Sequence, residues 1–136
     1  MPRSSILAAL LALMPTLGGA ALAQHALVND PTVRQGFYAI GLADEIRKNC
    51  PQISPRLVRA YTFLKSLESY ALEAGYSQAE IKQLTDNDAA EDALRAEIRA
   101  DLAARGATAG NTSGFCAVGR EEMARGTQAG RLLKAN

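Results

Sequence analysis

The two cysteines are the residues whose type and context point most directly to chemistry. Cys50 and Cys116 are the only cysteines in the chain and stand 66 positions apart. Residues 1–23 read as a cleaved secretory signal, and two cysteines in an exported chain pair with each other by default. A redox-active pair would call for a Cys-x-x-Cys spacing beside a βαβ pattern, and the sequence has neither. Intermolecular pairing and free thiols are the remaining alternatives. Closing a loop of this length is worth roughly 4 kcal/mol in the chain-entropy view.

Other chemically capable side chains are sparse. His25 is the only histidine. A lone imidazole is not a metal site without further ligands at suitable spacing. It also leaves a Ser–His or Cys–His nucleophile without an anchored base. Glu121 and Glu122 are adjacent, so on a helix they diverge by about 100° and make a poor acid–base pair on one substrate. Asp86-Asn87-Asp88 lacks the glycine and the spaced ligands of a calcium loop and reads as a cap and turn. Asn111-Thr112-Ser113 has the N-glycosylation acceptor pattern. No catalytic residue, metal ligand or cofactor site is expected.

The elements that would carry these residues begin after the signal. Arg3 supplies its positive end, residues 6–17 its apolar run, and Ala21-Leu22-Ala23 the small-x-small cleavage pattern before Gln24. The apolar run is too short to cross a bilayer, which takes about 20 residues. The chain carries 15 basic and 14 acidic residues, one of the basic ones being Arg3. The mature part, residues 24–136, is therefore near neutral and has no basic run. That argues against nucleic acid and against a polybasic membrane patch. It is long enough for one domain.

Nearly all of it reads as helix, rich in Ala, Leu, Glu, Arg and Gln, with no alternating run of strand length. Asp30-Pro31 opens a first helix that Cys50-Pro51 stops near residue 49. Ser54-Pro55 opens a second, to about residue 74. This is the most apolar helix and is expected at the centre of the bundle. Ser77 and Glu80 form a capping box for a short third helix, and Asp88 with Glu91 opens a fourth, to residue 105. Residues 106–114 form a loop. A last helix spans residues 115–133, with Cys116, Gly119, Met123, Gly126, Gly130 and Leu133 on one face, which suits close helix packing or, alternatively, a shallow groove for a ligand or partner peptide. Arg120, Glu121, Glu122, Arg125 and Arg131 lie on the opposite, solvated side.

Two blocks carry a resemblance. Residues 46–76 contain Arg-Lys-Asn-Cys-Pro and Arg-Ala-Tyr-Thr-Phe, and residues 115–134 contain Gly-Arg-Glu-Glu followed by Gly-Thr-Gln-Ala-Gly-Arg-Leu. Together they resemble a family of uncharacterised exported alphaproteobacterial proteins, domain of unknown function 5333. The resemblance implies export, one domain, and Cys50 and Cys116 as family features. It implies no activity.

The sequence thus predicts an all-α bundle of four to five helices with one Cys50–Cys116 disulfide, periplasmic or secreted, without a membrane span once the signal is removed. The leading function is a non-enzymatic binding or interaction module whose partner is unknown, an envelope protein being one option. Its expected contact surface is Arg120, Glu121, Glu122, Arg125 and Arg131 with the 106–114 loop. The alternatives are a small envelope hydrolase using Glu121 or Glu122, and a purely structural envelope protein.

Overall fold

Asp30 starts the first helix as its sequence implies. Its carboxylate accepts from the backbone N–H groups of Thr32 and Val33 at 3.0 and 3.1 Å, and Pro31 fills the first helical position. The computed structural model describes residues 26–136; the expected signal, its cleavage site and His25 lie outside the described residues. After a 3-10 turn at Leu27–Asn29 come α1 (Pro31–Asn49), β1 (Ile53–Pro55), α2 (Leu57–Glu73), α3 (Gln78–Thr85) and α4 (Asp88–Ala104). They are followed by α5 (Thr112–Arg125), α6 (Gln128–Arg131) and β2 (Leu133–Ala135). Among the described residues no helix is long and apolar enough to cross a membrane.

The helical bundle and its disulfide are as expected. The sulfurs of Cys50 and Cys116 are bonded, with their Cα atoms 5.1 Å apart. The bond joins the end of α1 to the first turns of α5, and both cysteines are buried. The short third helix has its capping box: the Ser77 hydroxyl accepts from Glu80 N–H while the Glu80 carboxylate accepts from Ser77 N–H.

Helix α1, not α2, is central. It packs against α2, α4, α5, α6 and β1. Its small residues permit this. A Cβ at Gly36 would meet Leu67 of α2 at 2.5 Å, and one at Gly41 would meet Ile98 of α4 at 2.5 Å. A helix approached from several sides needs such gaps, and α2 offers bulky side chains instead. Only Leu67 and Ala71 of α2 are buried, while Leu57, Val58, Tyr61, Leu64 and Leu72 are exposed. The expectation that the most apolar helix sits innermost is thereby overturned.

Four boundaries also move. Ser54-Pro55 does not begin α2 but forms β1, which pairs antiparallel with β2 through Ile53↔Ala135, Ser54↔Lys134 and Pro55↔Leu133. Asn87 caps α4, and Asn111 caps α5 so that the loop closes before Thr112. Asn111 also donates to the Gly106 carbonyl, which gives the sequon-like triplet a structural part. The expected last helix is broken at Gly126, whose φ of +62° is left-handed. Thr127 then caps α6 by accepting from Gly130 N–H.

The larger hydrophobic cluster gathers Leu42, Ile46, Ile53, Ile98, Leu102, Phe115, Val118 and Leu133 around the disulfide. A smaller one, with Leu27, Val33 and Ala71 at its heart, lies under α3.

Candidate functional site

The charged residues of α5 do not form one solvated face. Glu122 is buried, because the turn at Gly126 folds Thr127 and Gly130 back over it. Its carboxylate takes Arg105 Nη2 at 2.7 Å and the Thr127 hydroxyl. Glu121 reaches the same guanidinium at 3.2 Å and pairs with Arg125 at 3.2 Å. Arg105 and then Arg125 hold the Glu121 carboxyl below the usual carboxylate range. Arg120 is exposed and lies 3.5 Å from the Gln52 amide oxygen. Arg131 is exposed on α6, beyond the break. The structure thus keeps Arg120, Glu121, Arg125 and Arg131 at the surface, removes Glu122 from it, and adds Arg105. Asp101, four residues before Arg105, accepts from the Tyr38 hydroxyl at 2.5 Å.

A second set of charges joins α1 to α4. Glu45 is buried and receives Arg95 at 2.8 Å and Arg99 at 3.3 Å. Arg95 also bonds Glu91 at 2.6 Å, so its guanidinium stays charged. Asp44 accepts from Arg47 and Lys48 at 2.5 Å each. Burial works against its charge, but Lys48 and Arg47 win and hold it below the usual range. The sign of the pH dependence follows. A carboxyl whose folded pKa is depressed stabilises the fold above its unfolded value near 4 and loses that contribution as pH falls through the folded value. Asp44 and Glu121 both act in this direction, so the urea midpoint should fall between pH 6 and pH 3. A midpoint unchanged over that interval would show that these pairs contribute nothing to stability.

Between α1 and α4 lies an open groove of about 320 Å³. Its floor is apolar, made by Phe37 and Ile40 of α1, Leu94 and Ile98 of α4, and Leu84 at the end of α3. Its rim carries Arg34, Asp44, Glu91 and Arg95. These rim charges are already paired, Arg34 with Glu97 and the others as described. Gly41 and Ala90 line it too, and their small size leaves the space open. Such a site holds an apolar body by burial and offers no unpaired charge at its mouth. Each floor residue was legible as part of a helix face. That two faces stand apart here is a tertiary fact without a local signal.

Among the described residues no group of three or more His, Cys, Asp or Glu is placed to hold a metal ion. The model of a family of unknown function, DUF5333, matches residues 25–134. No curated protein and no solved structure matches the chain.

Proposed function

A chain that belongs to the DUF5333 family takes no activity from the family's description, and we propose from its own geometry that it is an exported, non-enzymatic binding module for an uncharged apolar ligand. The observation that carries this reading is the α1–α4 groove, whose volume of about 320 Å³ falls in the range of small-molecule sites, about 300–1,000 Å³. Export to the periplasm or the medium is supported by the signal pattern of residues 1–23 and by a disulfide, which persists in oxidising compartments. The rival hydrolase needs Glu121 or Glu122 to exchange a proton with substrate. Both are committed to Arg105, and Glu122 is buried besides.

The test is a titration with a fluorescent naphthylamine probe, displaced by a long-chain alkanol. The protein should bind the probe with blue-shifted emission, and saturating alkanol should raise the melting temperature by several degrees through linkage. Ala90→Phe fills the groove from its rim and should abolish the binding while the fold survives. Probe binding that is absent, or unchanged in the Ala90→Phe protein, would sink the reading. A purely structural envelope protein predicts the first of those results.

A further inference from the structure

Unpaired positive charge collects on one face of the molecule. Among the described residues, Arg56, Arg59, Arg120, Arg131 and Lys134 have no acidic side chain within ion-pairing distance, whereas every other lysine and arginine has one. Folding brings the five together from separate stretches of chain. Arg56 donates to the Leu133 carbonyl at 2.9 Å and Arg59 to the Arg131 carbonyl at 3.3 Å. The first turn of α2 therefore lies against the end of α6 and the start of β2. Arg131 and Lys134 stand on that same segment, Lys134 in register with Ser54 of β1. Arg120 extends the patch along the ribbon, 3.5 Å from the Gln52 amide oxygen. All five side chains belong to exposed residues. Residues 49–67 and 123–136, which supply all but Arg120, contain no Asp or Glu. A chain without a basic run thus acquires a region of one sign through its fold.

Apolar side chains stand inside this region. Leu57 and Val58 are 71% and 82% exposed and lie between Arg56 and Arg59, and Tyr61 is 65% exposed one turn further on. Apolar groups ringed by cations match an anionic lipid surface in both respects. Aliphatic side chains enter the acyl boundary, a tyrosine sits at the headgroup level, and guanidinium heads reach back to phosphate along their apolar stems. A free phosphate would leave Leu57 and Val58 uncovered. Nucleic acid would take up the charge but not the aliphatic side chains.

We propose that this face docks the protein on an anionic phospholipid surface, with Leu57 and Val58 inserted between headgroups whose charge Arg56, Arg59, Arg131 and Lys134 neutralise. The face shares no residue with the lining of the α1–α4 groove.

Vesicle flotation tests it, using the exported form from residue 24, because the apolar run of residues 1–23 would bind lipid by itself. Vesicles of phosphatidylcholine with about one-third phosphatidylglycerol should carry the protein, pure phosphatidylcholine should not, and added salt should release it. Arg131→Gln with Lys134→Gln should weaken binding by about tenfold or more. Lys48→Gln with Lys82→Gln removes the same charge elsewhere and should leave binding within about twofold. Leu57→Ser with Val58→Ser, at unchanged charge, should weaken it by roughly tenfold. All six positions are exposed, and circular dichroism verifies that each variant keeps its helices. The wild-type lipid and salt series decides the matter even without the variants. A protein that does not float with the phosphatidylglycerol vesicles overturns the proposal. So do equal losses from the two glutamine pairs. Binding that the serine pair leaves untouched overturns it too, and marks an acidic polypeptide as what the charge meets.

Discussion

Cys50→Ala with Cys116→Ala lowers the free energy of unfolding by about 2–5 kcal/mol and the melting temperature by roughly 10–20 °C. The bond spans 66 residues, so the loop that it closes in the unfolded chain is long. Inside that loop lie α2, α3 and α4, which bury two, no and two residues, against seven in α1 and five in α5. Without the bond, α1 and α5 must be held together by packing alone. Cys50 and Cys116 are buried at 0% and 4% exposure. Alanine is therefore the cleaner replacement, since serine would bury a hydroxyl without an assured partner. Denaturant curves of the oxidised, reduced and double-alanine proteins provide the measurement. Coincident midpoints for all three would show that the cross-link adds nothing to stability.

The second large effect belongs to Gly130→Ala. A Cβ there would lie 2.0 Å from the Glu122 carbonyl oxygen and 2.3 Å from its carbon. These are backbone atoms of α5 and cannot turn aside as a side chain can. Helix α6 would have to move away, taking with it the Thr127 cap, the cover over Glu122 and the start of β2. A loss of about 3 kcal/mol is expected, the upper end of the usual overpacking range. Gly119→Ala makes the comparison. Its Cβ would meet side-chain methyls only, Ile53 Cδ1 at 2.4 Å and Ile46 Cγ2 at 2.7 Å, and these yield more readily than backbone. The urea midpoint should therefore fall further for Gly130→Ala than for Gly119→Ala. The reverse order would refute the assignment of Gly130 to backbone contact.

These two glycines show where the sequence could be read and where it could not. The Gly-rich stripe left close packing and a shallow groove both open, and the contacts at Gly119 and Gly130 are those of close packing. Whether the stripe was one continuous helix was not legible: Gly126 in mid-pattern looks the same whether it packs or turns, and only its left-handed φ decides. Helix starts were legible at Asp30 and Ser77, where Pro31 or the Glu80 capping box reinforces the cap, but not at Asn87, Asn111 and Thr127, whose side chains cap without such a second signal. The β1–β2 ladder left no trace, since three residues are too few to show alternation. The wrong centre for the bundle has a similar origin. Mean apolarity singled out α2, whereas centrality depends on Gly36 and Gly41 admitting neighbours on separate sides of α1. At the candidate sites, Glu121 and Glu122 were singled out for their type. Their partner Arg105 and the burial of Glu122 come from long-range folding that spacing along the chain does not encode.

The two hydrophobic clusters divide the groove between them. Phe37 and Leu84 belong with the smaller cluster under α3, and Ile40, Leu94 and Ile98 with the larger one around the disulfide. Helix α3 has no fully buried residue of its own, so its corner is the part of the domain that breathes at least cost. One end of the groove is therefore lightly anchored and the other is built into the cross-linked core. A ligand of the proposed kind would enter by a partial opening at the α3 end, with the cross-linked half standing as the jamb.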